Sequence, residues 1–268
     1  MDDLQNAPKP DGAPEQVDSI IKIRGLRTAF GPHVIHNNLD LDVHRGEILG
    51  IVGGSGTGKS VLLKTIVGLN KQIEGSIEIN GFDQANLSGE EERMSRQDWG
   101  VLFQDGALFS SLTVAQNIQV PLREFYEFPQ DMLDDLARSK IEMAGLPGDA
   151  GKKFPSDLSG GMRKRAALAR SLALDPKILF LDEPTAGLDP IGASAFDGLV
   201  QELSRSLGLT VFLVTHDLDT LFRVCDRVAV LGDQKILINA PLTEVVKFKH
   251  HWVQEYFGGP RARAAGLS

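Results

Sequence analysis

Two kinds of hydrophobic spacing divide the chain. Ile20-Ile21-Lys22-Ile23-Arg24 and the stretch Ile35 to Val43 have strand-like patterning and predict an outer sheet. Ile48-Leu49-Gly50-Ile51-Val52 is an unbroken apolar run, the pattern of a buried strand. Ser60 to Leu69 then carries apolar residues at helical spacing. Gly75 to Asn80 alternates as a short strand and ends in the turn pair Asn80-Gly81. Val101 to Phe103 predicts another short strand. From about Leu87 to Pro155 the pattern is mainly helical, broken by Pro and Gly; Leu133 to Ala144 is its clearest helix, and 145–155 is loop-like. Beyond Gly160, strand-length runs at Ile178–Asp182, Thr210–Thr215 and Val228–Leu231 alternate with helical patterns over Ala193–Leu207 and Leu218–Val224. That alternation predicts a largely parallel sheet covered on both faces. The expected class is α/β: one domain over 19–246, with an outer antiparallel β subdomain and an α-helical subdomain inserted at about 87–157. A flexible segment over 1–18 precedes it and a C-terminal extension over 247–268 follows.

Composition narrows the function classes. The 268 residues are 42% hydrophobic and 24% charged, as in soluble globular proteins. No apolar run reaches the ~18 residues that span a bilayer, and the Pro-rich start lacks the apolar core of a secretory signal. The single cysteine, Cys225, excludes an intramolecular disulfide and is expected to be a packing residue. A formal charge of −8 is a poor footprint for a general nucleic-acid binder. His33, His36, His44, His250 and His251 lack the companion ligands of a metal site. Glu90-Glu91-Glu92 is expected to be an exposed acidic helix turn.

Chemistry concentrates in four segments. Gly53-Gly54-Ser55-Gly56-Thr57-Gly58-Lys59-Ser60 lies between the apolar strand and the helix. Its glycines let backbone N–H groups wrap phosphate oxygens, and the helix N-terminus adds positive potential. Lys59 is placed to reach the β- and γ-phosphates, and Ser60 to ligate magnesium. The core is therefore expected to be a P-loop NTPase. Asp182 and Glu183 close an apolar strand. Such a pair alone is commonly a solvated strand end, but beside a phosphate loop Asp182 is expected to hold magnesium and Glu183 to polarise the attacking water. His216 ends another strand and is expected at the γ-phosphate. Gln104, after a short strand, is expected to sense magnesium and the attacking water. Ser159-Gly160-Gly161 opens a basic helix, Met162-Arg163-Lys164-Arg165, where a hydroxyl and backbone donors suit a γ-phosphate. One phosphate is not easily wrapped by both glycine segments of one chain, so a second copy is expected to supply the second.

With these residues the chain resembles the ATP-binding subunits of ABC transporters over about residues 20–245. The resemblance implies ATP and Mg2+ as ligands and a head-to-tail dimer in which each nucleotide meets Lys59 of one copy and Ser159 of the other. It implies that Phe30 stacks on adenine, that Val61 sits at the α-phosphate where Ser or Thr is common, and that Asp189 in Ala186-Gly187-Leu188-Asp189 communicates across the dimer. The helical insertion would dock an integral-membrane permease, placing the chain on the cytoplasmic face of the inner membrane. Phe103-Gln104-Asp105-Gly106-Ala107-Leu108-Phe109-Ser110-Ser111-Leu112-Thr113-Val114, then Asn117-Ile118 and Pro121-Leu122-Arg123-Glu124, is similar to the Mla type, which traffics phospholipids between bacterial membranes and maintains outer-membrane lipid asymmetry. Met162, where most of the superfamily has Gln or Glu, is a further similarity and implies slow hydrolysis. Further lipid-binding subunits would then be partners.

Two other functions are weighed: an importer ATPase for amino acids or another small solute, and a soluble ABC ATPase acting on nucleic acid or ribosomes. The latter predicts a long coiled-coil insertion or tandem cassettes, and this sequence has neither. In the extension, Trp252 and Tyr256 are i,i+4 neighbours if helical. The segment either packs on its own domain or reaches the second subunit; the second is the working expectation.

Overall fold

The computed structural model describes residues 18–259. The segment expected over 1–18, apart from Asp18, and the end of the extension, 260–268, lie outside the described residues. In chain order, β1 (Ser19–Phe30) and β2 (His33–His44) precede β3 (Ile48–Val52), α1 (Lys59–Ile66), β4 (Glu74–Ile79) and β5 (Phe82–Asp83). Next come α2 (Gly89–Gln97), β6 (Trp99–Leu102), α3 (Val114–Phe125), α4 (Gln130–Met143) and α5 (Gly160–Ser171). They are followed by β7 (Ile178–Asp182), α6 (Pro190–Leu207), β8 (Thr210–Val214), α7 (Leu218–Val224), β9 (Arg227–Gly232), β10 (Lys235–Ala240), α8 (Leu242–Val245) and α9 (His251–Gly258).

Two sheets form. The outer sheet is antiparallel in the order β2-β1-β4-β5; the core sheet runs β10-β9-β3-β8-β7-β6 and is parallel except for β10 on β9. Every residue of β3, β7 and β8 is buried, which explains their unbroken apolar runs. The period-two alternation splits their side chains between two cores. Ile51, Phe180 and Phe212 meet Leu62, Leu63 and Ile66 of α1 and the inner face of the outer sheet. Leu179, Leu181 and Leu213 meet Leu168 of α5 and Phe196 and Val200 of α6 on the opposite face. Helix α1 is thus wedged between the sheets.

Helix ends follow local chemistry. Asp189 caps α6 by accepting from the N–H groups of Ile191 and Gly192, Pro190 fills the first turn, and Gly208 at φ 65° stops it. The acidic turn Glu90–Glu92 is the exposed first turn of α2, closed by a Ser88–Glu91 capping box. Cys225 is a packing residue whose sulfur lies so close to Gly50 that a Cβ there would meet it at 2.8 Å; burial pushes its thiol pKa up.

The helical stretch expected over 87–157 is interrupted. Trp99–Leu102 pairs in parallel with β7 and forms the edge of the core sheet, so it belongs to the core layer. The helical layer proper is α3 and α4 packed on α5, through Val114, Ile118, Leu122, Leu133, Ala137 and Ile141 against Ala166 and Ala169. Buried Asn117 ties the preceding loop to α3: its amide donates to the carbonyls of Phe109, Leu112 and Thr113 and accepts from the Phe109 N–H.

Helix α9 packs on its own protomer. Val253 and Phe257 are buried against Val52, Leu221 and Val230, while Trp252 and Tyr256 stack with ring centroids 4.7 Å apart, the predicted i,i+4 pairing. Phe257 is 3% exposed, so Phe257→Ala is expected to destabilise the fold by about 3–5 kcal/mol. Urea unfolding checks this; a loss below about 1 kcal/mol would mean that α9 contributes little to the core.

Candidate active site

The phosphate loop leaves β3 and enters α1 under tight steric control. Gly58 has φ 101°, and a Cβ there would lie 2.7 Å from His36 Nε2 as well as against Ile35, so only glycine fits. His36 is fully buried beneath the loop, with Nδ1 2.7 Å from Thr28 Oγ1. Thr57 Oγ1 donates to the Gly54 carbonyl at 2.9 Å. Lys59 Nζ folds back to donate to the carbonyls of Gly53 and Gly54 at 2.8 and 3.0 Å. Burial lowers the Lys59 pKa, and the nearby charges of Glu183 and Asp182 oppose that shift.

Ser60 Oγ donates to Asp182 Oδ1 at 3.0 Å, joining the first turn of α1 to the end of β7. Asp182 is 4% exposed; burial raises its pKa, with the Ser60 hydrogen bond and the charges of Lys64 and Lys59 acting the other way. A buried carboxylate beside a hydroxyl is a hard-oxygen donor pair suited to magnesium, which takes one or two protein ligands and completes its shell with phosphates and water. Among the described residues, no group of three or more His, Cys, Asp or Glu side chains is placed to hold a metal by itself.

Glu183 follows in the left-handed region, φ 46°, held by its N–H bond to the Val214 carbonyl at 2.8 Å. That turn points its carboxylate to His216, with Oε1 3.1 Å from Nδ1. A cleft of about 720 Å³ is lined by Ile35, residues 53–56 and 58–61, Glu183, His216, Trp252 and Tyr256. The cleft therefore gathers Gly53, Gly54, Ser55, Gly56, Gly58, Lys59, Ser60, Val61, Glu183 and His216, with Asp182 directly behind Ser60.

Other expected site residues stand apart from this lining. Phe30 is 54% exposed at the end of β1. Gln104 is exposed on the loop after β6. Ser159 caps α5 by accepting the Met162 N–H at 3.3 Å and is exposed, as is Gly160; Gly161 is half-buried. Asp189 caps α6. Three features escape sequence reasoning. Trp252 and Tyr256 wall the cleft in the same chain, and the Tyr256 hydroxyl donates to the His216 carbonyl at 2.7 Å; their stacking was legible, their destination was not. Lys164, within the run read only as the start of a basic helix, is 7% exposed and reaches two backbone carbonyls beside the cleft. His36 supports the phosphate loop from a strand that carries no motif.

A loop of backbone donors, a lysine above it, a magnesium-type oxygen pair and a polarised carboxylate are arranged around space for a polyphosphate, which defines a P-loop nucleotide hydrolase. The chain belongs to the ABC transporter family, whose match spans residues 36–186. It is 36% identical over 241 residues to the intermembrane phospholipid transport system ATP-binding protein MlaF of Haemophilus influenzae, covering 90% of this chain and 91% of that protein. It is 38% identical over 248 residues to the probable ribonucleotide transport ATP-binding protein mkl of Mycobacterium leprae, covering 92% and 71%. The methionine import ATP-binding protein MetN of Shigella boydii is 37% identical over 235 residues, 86% of this chain and 67% of that protein. In structure it is similar to a dimeric ATP-binding cassette in a post-hydrolysis state with ADP and Pi: TM-score 0.75, 30% identity, 83% of this chain and 98% of that one. The chain is an ATP hydrolase, the ATPase subunit of an ABC transporter.

The support under the phosphate loop is pH-sensitive. Burial pushes the His36 pKa down from 6.5 to about 4. Between those values the unfolded chain takes up a proton that the folded chain refuses, so stability is full above pH 6.5 and falls as pH drops toward 4. At pH 5 the loss from this group is expected to be about 2 kcal/mol. Urea unfolding at pH 7 and pH 5 should show that difference shrinking in His36→Gln; an unchanged pH dependence would assign it to other groups.

Proposed function

We propose that this subunit works as one of two copies that sandwich ATP and Mg2+, and that its hydrolysis cycle powers phospholipid trafficking between the inner and outer membranes. The observation that carries the composite site is the placement of Ser159, at an exposed helix N-terminus outside the cleft that holds Lys59 and Glu183. An exposed cap with free backbone donors suits a phosphate presented by another copy. The dimeric state of the similar cassette supports this reading.

In the proposed cycle the P-loop amides and Lys59 bind the phosphates, and Lys59 exchanges its bonds to Gly53 and Gly54 for phosphate oxygens. Ser60, Asp182 and Gln104 would hold Mg2+, which offsets phosphate charge when bound. Glu183 orients the attacking water and polarises it toward the γ-phosphorus, with His216 fixing the carboxylate. Phe30 would stack on adenine, Val61 would lie at the α-phosphate, and Asp189 would meet the partner copy. Chemically, this is positioning and charge placement, as phosphoryl transfer requires. Met162 in place of a polar side chain beside Ser159 favours a slow cycle.

Among the described residues no helix is long and apolar enough to cross a membrane. The similarity to transporter ATP-binding proteins supports attachment on the cytoplasmic face through an integral-membrane permease. The motif Phe109-Ser110-Ser111-Leu112-Thr113, tied down by Asn117, and the similarity to MlaF support phospholipid as cargo, with lipid-binding subunits as further partners. The similarity to MetN favours a second reading, import of an amino acid or other small solute.

Two measurements test this. Ser159→Arg should leave ATP binding by calorimetry within about threefold of wild type yet lower turnover by about 100-fold, because it obstructs the partner's phosphate site; normal turnover would remove the second copy from the mechanism. A mild-detergent pull-down followed by mass spectrometry should recover a permease with bound phospholipid. Recovery of a permease with a periplasmic solute-binding protein and no enriched lipid would favour the importer.

A further inference from the structure

Helix α5 joins the exposed cap residue Ser159 to the buried back of the cleft. Five residues beyond Ser159, the Lys164 side chain runs inward and is 7% exposed. Its ammonium donates to the carbonyl of Gln104, after β6, and to the carbonyl of Glu183, after β7, the latter at 3.3 Å. Six residues further on, Arg170 donates to the carbonyls of Gly106 and Ala107 at 2.9 and 2.7 Å. Gly106 and Ala107 both have positive φ, 77° and 50°. The loop from Gln104 to Ala107 is therefore gripped at both ends by cations of one helix. Lys164 alone also grips the strained turn at Glu183.

We propose that Lys164 is a positioning residue: it fixes the main chain of Gln104 and Glu183 to α5, so that the magnesium-side and water-side groups are set together with the helix that presents Ser159. This rests on the reading of Glu183 and Gln104 given above. The chemistry requires a lysine or close substitute. An ammonium carries three donors on a flexible stem and can serve two carbonyls from different loops. A buried cation is tolerated here because two carbonyl dipoles face it and the carboxylates of Asp105, Glu183 and Asp182 lie nearby. Without it, Glu183 keeps its N–H bond to Val214 but loses the restraint on its carbonyl, and a non-glycine residue at φ 46° has easier backbone conformations to relax into. A carboxylate displaced by an ångström still permits nucleotide binding, but it no longer aligns water.

The test compares wild type, Lys164→Met, Lys164→Arg and Glu183→Gln in the intact transporter complex, measuring kcat, KM and the Kd of a non-cleavable ATP analogue. Lys164→Met is expected to lower kcat by about tenfold or more while analogue affinity stays within about threefold, and Lys164→Arg to recover most of the rate. A Lys164→Met protein with wild-type kcat overturns the proposal. So does a loss of rate and affinity in equal measure that Lys164→Arg fails to relieve, since that describes a general structural role. If Lys164→Met does not fold, Lys164→Gln, which keeps an NH2 donor but is uncharged and shorter than lysine, is judged by the same criteria. Glu183→Gln separates the two levels: if it loses turnover and Lys164→Met does not, this inference alone fails; if it turns over like wild type, the base assignment fails and the positioning role with it.

Discussion

Ser60 and Asp182 can share a hydrogen bond only because parallel strands end on one edge. Strands β3 and β7 flank β8, with Ile51 and Asp182 both in register with Val214. The chain leaves each strand at its C-terminal end, so the phosphate loop, the Asp182-Glu183 pair and His216 arrive on the same side without special loop geometry. This placement also explains how buried charge survives there. Lys59 and Asp182 are both desolvated, each shifted toward its neutral form by burial, and each is opposed by the other's charge. Lys59 donates to the Gly53 and Gly54 carbonyls and Asp182 accepts from Ser60, so each desolvated charge keeps a hydrogen-bond partner.

The elements that build this edge were legible because burial on both faces leaves a distinctive mark. Ile48–Val52 and Ile178–Asp182 are unbroken apolar runs stopped by glycine or carboxylate, and the strands match them. Partly exposed elements were harder. Strand β10 is half-buried along most of its length and shows no clear alternation. Helix α3 contains Pro121, which sequence rules place at a helix boundary, yet the helix continues through it. Strand β6 was expected near its observed place but hidden in a stretch otherwise helical, because four residues are too few to set a period.

Site residues divide along the same line. Lys59, Ser60, Asp182 and Glu183 are legible because spacing in sequence translates directly into spacing at the strand ends. Lys164 is not, since an Arg-Lys-Arg run looks the same whether it faces water or carbonyls; only the crossing of α5 behind β6 and β7 decides. Trp252 and Tyr256 announce a stacked pair but not the surface they cover. Phe30 and Asp189 are carried by motif resemblance, Gln104 by its place after a short strand and Ser159 by its place at a helix start; all four are exposed.

A common device runs through the cleft. Lys59 holds the carbonyls of Gly53 and Gly54, Lys164 those of Gln104 and Glu183, and the Tyr256 hydroxyl that of His216. Restraining the main chain leaves the Gln104 side chain uncommitted and lets the Glu183 carboxylate and the His216 ring meet each other at 3.1 Å. That division favours catalysis, since a side chain already committed to structural bonds must break them to meet substrate, whereas a side chain on a pinned backbone is pre-oriented at no such cost. It also makes the restraints movable as a set. Helix α5 carries Ser159 at its outer end and Lys164 within, so in the proposed cycle a force that tilts this helix would act on the cap and on the Glu183 main chain at once. On that proposal, coupling between dimer closure and water alignment would need no long chain of side-chain contacts, because one helix touches both.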